Sequence, residues 1–382
     1  MLLYVHIPFC RRKCRYCDFA SWAGAESHLA SYAEDVAREA EMRASQLGPQ
    51  AVQTVFLGGG TPSAVPAEWM RRLLESVFRF FPPEADAEFT SEANPGTLTP
   101  EWLDTLLGIG LNRLSLGMQA AQPELLRLLG RIHSPEQVRE SVELARSRGI
   151  RQLNLDLMFG LPTHTLSQWE ETLEAALQMR PEHLSCYGLI PEEGTPLQED
   201  LTSGRLSLPE EGAEREMYDT AIRRLREAGL CQYEISNFAR PGSECRHNLG
   251  YWRRVPYLGL GLSAASMLEL PEGCVRETNP SSFAEYHAMV SGECRRERET
   301  VSESEAAFET LMLGLRLNEG VRDADFAARF GYPLDSRWGA QLQSLERRQL
   351  VVREDGCLRL TRRGMDIQNS VLVELMDENG RS

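Results

Sequence analysis

Six short apolar runs, each followed by a longer stretch, constrain this chain to a fold built on a parallel sheet. The runs are Leu2 to His6, Thr54 to Leu57, Ala87 to Glu92, Arg113 to Gly117, Gln152 to Leu157 and His183 to Gly188. Helical periodicity covers Leu29 to Leu47, Trp69 to Phe80, Ser134 to Arg148 and Leu166 to Met179 between them. Right-handed crossovers place those helices on one outer layer. The expectation is an α/β fold, a partial (β/α)6 barrel. In parallel βα architectures ligands meet the loops at the carboxyl ends of the strands, so the residues just after each run matter most.

Leu230 to Met289 lacks the βα rhythm and is richer in Gly, Pro and aromatics, as an added β-rich segment beside the barrel would be. Arg295-Arg296-Glu297-Arg298-Glu299 reads as a solvated linker or surface helix and sets a boundary near residue 300. Three helical patterns come next, then Leu350-Val351-Val352 and Cys357-Leu358-Arg359-Leu360 around Asp355-Gly356, a hairpin signal, then a last helix from Arg362. That order predicts a winged-helix-like unit. The expected organisation is a barrel over 1–228, an extension over 229–300 and the winged-helix-like unit over 301–382.

Of the 382 residues, 41 are basic and 56 acidic, a net charge of −15 that disfavours non-specific binding to nucleic acid or anionic membrane. From Ser302 to Ser382 there are 11 Arg against 14 Asp and Glu, a net of −3, so docking on protein rather than DNA is expected there. Met1-Leu2-Leu3-Tyr4-Val5-His6 is no secretory leader, and no run of roughly 18 apolar residues occurs. A cytoplasmic protein, not an integral membrane one, is expected. The nine cysteines are an odd number with three crowded at one end, which reads as metal or redox ligation in a reducing compartment.

Those three lie in Cys10-Arg11-Arg12-Lys13-Cys14-Arg15-Tyr16-Cys17, a loop tight enough to wrap one small metal centre. Cubane clusters ordinarily take four cysteines, so three leave one iron open for another ligand. A structural zinc with His6 as fourth ligand, or solitary thiols, also fits the spacing. The second run ends in Gly58-Gly59-Gly60-Thr61-Pro62, where a backbone can approach a ligand; without a subsequent Gly-Lys-Ser/Thr it is not a Walker loop. Glu92, Gln119 and Asp156 stand at later strand ends and converge on the same mouth, although each alone would serve equally as a structural acid or amide.

Tyr4-Val5-His6-Ile7-Pro8-Phe9-Cys10 running into the cysteine loop resembles the radical S-adenosylmethionine superfamily, within it the branch of oxygen-independent coproporphyrinogen III oxidase and the HemW heme chaperones. The resemblance covers nearly the whole chain. It implies that Cys10, Cys14 and Cys17 hold a [4Fe-4S] cluster, that S-adenosylmethionine chelates the open iron, and that Tyr4, Gly59, Gly60, Thr61, Glu92, Gln119, Arg131 and Asp156 form its site, with the positions of Gly60, Thr61, Gln119, Arg131 and Asp156 also serving a second cofactor molecule in the oxidase. The oxidase has a further cysteine two residues after the third, where this chain has Phe19, and an amino-terminal arm ahead of Tyr4. Both departures point to the chaperones, as does Arg246-His247-Asn248-Leu249-Gly250-Tyr251-Trp252, which matches their His-Asn-x-x-Tyr-Trp signature.

The implied function is binding heme and transferring it to acceptor proteins such as respiratory enzymes, a carrier rather than an enzyme. His247 is the expected heme contact, with Cys245 as competitor or as half of a zinc site, and Arg246, Arg253 and Arg254 are candidates for the propionates. Arg11, Arg12, Lys13 and Arg15 are suited to attract an acidic electron donor. A homodimer is left open. The rival reading is the oxidase, which oxidatively decarboxylates two substrate propionates, and a third is radical chemistry on an unrelated substrate.

Overall fold

The computed structural model describes residues 1–376. Strands β1 (Leu2–Ile7), β2 (Val52–Gly59), β3 (Pro83–Ala93), β4 (Arg113–Gln119), β5 (Gln152–Phe159) and β6 (His183–Gly188) lie side by side in chain order, all parallel. Period-2 alternation sends Leu3, Val5, Val55, Leu57, Leu114 and Leu116 into the apolar layer beneath the helices. The alternate positions Tyr4, Phe56, Glu92, Ser115 and Asp156 face the concave side.

The outer layer is α1 (Leu29–Leu47), α2 (Ala67–Phe78), α3 (Pro100–Ile109), α4 (Pro123–Leu128), α5 (Pro135–Ser147), α6 (Leu166–Gln178), α7 (Pro196–Thr202) and α8 (Glu211–Glu227). Capping boxes start α5 and α6: Ser134 with Gln137, and Thr165 with Gln168. Helix α3 has the same kind of punctuation, a Thr99 cap, Pro100 at its first turn and left-handed Gly110 after its end.

Residues 229–300 do not form a separate sheet. Strands β7 (Cys231–Gln232) and β8 (Asn237–Ala239) add antiparallel to the β6 edge. After α9 (Arg246–Trp252), strand β9 (Tyr257–Leu260) pairs parallel with β1, and β10 (Ala265–Leu270), β11 (Gly273–Thr278) and β12 (Glu297–Val301) continue antiparallel from it, with α10 (Phe283–Val290) between the last two. The result is one 12-stranded sheet in the order β12-β11-β10-β9-β1-β2-β3-β4-β5-β6-β8-β7. The charge run expected to be a linker or helix ends in edge strand β12, where alternating charge keeps an edge from pairing further.

Charged residues hold this extension to the barrel. Glu39 of α1 is fully buried and accepts bonds from the Gly261 amide (2.8 Å), Asn279 Nδ2 (2.8 Å), the Tyr286 hydroxyl (2.7 Å) and Arg296 Nη2 (2.9 Å). One turn on, Arg43 pairs with Glu277 of β11 at 2.5 Å. A buried carboxylate is tolerated only with such a full set of partners.

The carboxyl-terminal unit has its own core. It comprises α11 (Glu303–Gly314), β13 (Val321–Arg322), α12 (Asp323–Phe330), α13 (Asp335–Arg347), β14 (Val351–Glu354), β15 (Cys357–Leu360), α14 (Arg362–Asp366) and α15 (Gln368–Leu375), packed on Leu311, Phe326, Trp338, Leu342 and Leu372. Strands β13, β15 and β14 form a small antiparallel sheet, and the turn has Asp355 and Gly356 both at positive φ, as a two-residue hairpin requires. Residues 377–382 of the expected unit lie outside the described residues.

Candidate functional site

The cysteine loop leaves β1 and is tied down by backbone bonds. Arg15 N donates to Leu129 O (3.0 Å), Leu197 N donates to Arg15 O (2.9 Å), and the Arg15 side chain pairs with Asp200. Cys10, Cys14 and Cys17 are thereby half-buried around a cavity of about 450 Å³ at the carboxyl ends of the barrel strands. Arg131 Nη1 donates to Cys14 Sγ at 3.4 Å, and Cys10 Sγ lies 3.5 Å from Thr61 Oγ1. Burial pushes the Cys10 and Cys17 thiols up. Among the described residues no three His, Cys, Asp or Glu side chains converge on a point fit for a single ion. A cubane instead takes each thiolate on a different iron. His6, the fourth ligand of the zinc alternative, has both ring nitrogens engaged, with the Tyr4 hydroxyl (3.0 Å) and Ala20 O (2.8 Å).

The glycines after β2 are required by close approach. A Cβ on Gly59, where φ is +103°, would lie 2.3 Å from His6 Cε1, and one on Gly60 would lie 2.6 Å from Ile7 O. The loop therefore presses onto β1 and presents backbone to the cavity beside Thr61. Asn94 joins it to β3: Nδ2 donates to Thr61 Oγ1 (2.8 Å) while Oδ1 accepts from Arg131 Nη2 (2.5 Å). Arg131 Nη2 also reaches Gly117 O at 2.7 Å, and Gln119 closes β4 in the left-handed region at φ 65°.

Glu92 and Asp156 form the acidic floor. Glu92 accepts only the Gly59 amide, at 3.3 Å, among the hydrogen bonds of the described residues, and burial together with the Asp156 charge raises its pKa to about 8. Asp156 is also raised by burial, against hydrogen bonds from Ser115 (3.0 Å) and Asn154 (2.8 Å). Two carboxyls in one cavity suit a cationic ligand. Ten of the expected residues, Cys10, Cys14, Cys17, Gly59, Gly60, Thr61, Glu92, Gln119, Arg131 and Asp156, line this one cavity. Tyr4 does not; it lies in the wall of a second cavity, and the Tyr4–His6 bond connects the two.

Residues 4–176 match the Radical SAM superfamily and residues 301–367 the HemN C-terminal domain. The chain is 35% identical to heme chaperone HemW of Bacillus subtilis (strain 168) over 98% of its own length and 99% of that protein. It is 38% identical to heme chaperone HemW of Synechocystis sp. over 83% of its length and 78% of that protein.

The chain belongs to the HemW family.

Its fold is also that of coproporphyrinogen III oxidase (HemN) from Escherichia coli, a radical SAM enzyme, with a TM-score of 0.85 and 23% identity, covering 98% of this chain and 89% of that one. As a radical SAM protein it takes a [4Fe-4S] cluster and S-adenosylmethionine, and the mouth fits both. Three thiols surround a space with an arginine on one of them, and two buried carboxyls, Glu92 and Asp156, stand in the same cavity and suit a cationic ligand. Cys10, Cys14 and Cys17 would hold the cluster, and the Gly59 to Thr61 backbone, Glu92, Gln119, Arg131 and Asp156 the cofactor. Once bound, the pair would supply one-electron chemistry at the sulfonium.

The HemW signature segment is placed differently from expectation. Helix α9 plugs the amino-terminal end of the barrel: Glu88 of β3 accepts the backbone amides of Arg246 and His247, both at 3.0 Å, and lies 3.5 Å from Cys245 Sγ. His247 is 1% exposed. Its Nδ1 meets Thr54 Oγ1 at 2.7 Å and its Nε2 the Tyr251 hydroxyl at 3.0 Å, and burial lowers its pKa to about 3. Neither ring nitrogen is open to a heme iron in this conformation, and Cys245 is equally buried. The three arginines are engaged as well: Arg246 on Asp86 O, Arg253 on Glu319, and Arg254, 2% exposed, on Glu309. Of the remaining cysteines, Cys186 and Cys357 are buried while Cys231 and Cys294 are exposed.

Sequence reasoning missed Asn94, Ser115 and Asn154 at the site. Asn94 follows β3 in Glu92-Ala93-Asn94-Pro95-Gly96, a strand end before a Pro-Gly turn, and that position was the available signal. No helix of the described residues is long and apolar enough to cross a membrane.

Proposed function

We infer that this protein is a cytoplasmic heme chaperone, which binds heme alongside its [4Fe-4S] cluster and S-adenosylmethionine and passes the heme to heme-requiring acceptors such as respiratory enzymes. The supporting observation is at residue 19. Phe19 is 60% exposed on the lip of the cysteine-lined mouth, at the position where the oxidase carries its further cysteine. A mouth equipped for the cluster and cofactor but lacking that thiol favours carriage over decarboxylation.

Within this reading Cys10, Cys14 and Cys17 bind the cluster, Arg131 stabilises the anionic sulfur of Cys14, and Glu92 and Asp156 meet the cofactor's positive charge. Arg11, Arg12 and Lys13 are exposed beside the mouth and suit an acidic electron donor. The acidic carboxyl-terminal unit, outside the barrel core, suits docking of the acceptor.

The test is an anaerobic titration of cluster-reconstituted protein with heme, monitored by Soret absorbance, together with a product assay on coproporphyrinogen. Saturable one-to-one heme binding without protoporphyrinogen formation is expected. Turnover of coproporphyrinogen would replace the chaperone with the oxidase, and absence of saturable heme binding would leave radical chemistry on another substrate.

A further inference from the structure

A second cavity of about 460 Å³ lies on the concave face of the extension, closed on one side by α11 of the carboxyl-terminal unit. Its wall is largely apolar and aromatic, including Tyr251, Tyr257, Met267, Met312 and Leu313, and two guanidinium groups, Arg254 and Arg276, stand in it. That volume lies in the range of small-molecule sites. Arg276 Nε is sealed from solvent without a hydrogen bond, facing the Glu299 carboxylate at 3.4 Å, while its Nη2 shares Glu309 with Arg254. Arg254 is buried on Glu309, whereas the Arg276 side chain is partly exposed, and aromatic and thioether walls with that arginine match a flat apolar ligand that carries a carboxylate.

The signature segment contributes Tyr251 to this wall. Its ring packs edge-on against Tyr257, with centroids 4.8 Å apart, and its hydroxyl is hydrogen-bonded to His247 Nε2 at 3.0 Å. We propose that this cavity is the heme site, with the Tyr251 phenol as iron ligand and His247 as the positioning residue behind it. The assignment rests on the heme-carrier reading above and names where that heme binds.

Phenolate is an established axial ligand of heme iron. The O–H bond of Tyr251 breaks as its oxygen binds ferric iron, and the proton passes to His247 Nε2. A neutral ring with its proton on Nδ1, donated to Thr54 Oγ1, has Nε2 free to accept. The phenolate then supplies the counter-charge that the buried ring otherwise lacks. The motif thus acts through its tyrosine, which explains an imidazole buried out of reach of any ligand. Tyr4, in the same wall, bonds to His6 beneath Gly59, so the heme site and the cofactor mouth share one hydrogen-bonded pair.

Ferric heme is titrated into cluster-reconstituted full-length protein and its Y251F and Ala265→Trp variants, with resonance Raman on the complexes. Ala265 lies in the cavity wall on an exposed strand position, so the indole fills the space without entering the core. Tyr251→Phe is expected to abolish the tyrosinate–iron vibration and Ala265→Trp to weaken heme binding at least tenfold, both with S-adenosylmethionine binding intact. His247→Ala is expected to retain tyrosinate ligation with a displaced charge-transfer band, which a purely structural histidine would leave in place. Wild-type affinity in both Y251F and A265W would overturn the site, and an unmoved band in H247A would overturn the role of His247. A wild type that binds no heme would instead overturn the chaperone reading itself.

Discussion

The Tyr4 hydroxyl donates to His6 Nδ1 at 3.0 Å, joining a residue of the extension-side cavity to the ring that supports Gly59 at the cofactor mouth. Ala20 O accepts from His6 Nε2 (2.8 Å), which fixes the proton on Nε2 and makes Nδ1 the acceptor. Burial lowers the His6 pKa, so the ring is neutral at physiological pH. Tyr4→Phe strands that acceptor and is expected to cost about 1 to 2 kcal/mol of stability. Cofactor binding should weaken as the Gly59 loop loses its support, with iron content unchanged, measured by thermal unfolding and calorimetric titration.

Glu92 makes stability depend on pH. Its folded pKa of about 8 exceeds the ordinary 4.5, so the folded chain holds this proton more tightly than the unfolded one. Its contribution is fully present below about pH 4.5 and is lost as pH rises through 8. Glu92→Gln should remove this slope and raise the melting temperature of the cofactor-free protein at pH 9. Added S-adenosylmethionine, cationic where Glu92 is anionic, should stabilise the wild type more at pH 9 than at pH 6. Thermal scans across that range check both.

Arg131 tunes the cluster. Its Nη1 on Cys14 Sγ withdraws charge from a ligating sulfur, and such bonds raise cluster potentials. Arg131→Met should retain three cysteine ligands and near-normal iron content but shift the cluster potential to a more negative value, read by a redox titration with electron paramagnetic resonance detection. Replacing any one of Cys10, Cys14 or Cys17 by Ala should instead abolish stable iron loading.

Glu39 determines whether the extension stays on the barrel. Glu39→Leu leaves Arg296 without its buried counter-charge and removes the acceptor of Asn279, Tyr286 and Gly261. A loss of about 3 to 5 kcal/mol is expected, measured by denaturant unfolding.

The six barrel strands were legible because strands buried on both sides carry near-continuous apolar runs, and α1 was legible from its period. The continuity of the sheet was not. The pairing of Leu2 with Tyr257 joins the first barrel strand to a strand of the extension far away in the sequence, and nothing in a local pattern announces it. Asp35, Glu39 and Arg43 have the spacing of a solvated helix face, yet they are buried because the extension lies over them. At the site, the residue types after each strand revealed the cysteines, the glycine loop, Glu92 and Asp156. The contacts of His247 depended on where α9 comes to rest, and no local pattern announced that its ring would be buried between Thr54 and Tyr251.

The most direct test of heme carriage is transfer. Reconstituted protein loaded with one equivalent of heme is mixed anaerobically with the heme-free form of a respiratory oxidase, and the acceptor's own absorption spectrum is monitored with and without S-adenosylmethionine and reductant. Growth of the acceptor spectrum at the expense of the donor's Soret band, faster than from free heme at the same concentration, is the predicted result. Heme that stays on the protein, or reaches the acceptor no faster than free heme does, would contradict a chaperone.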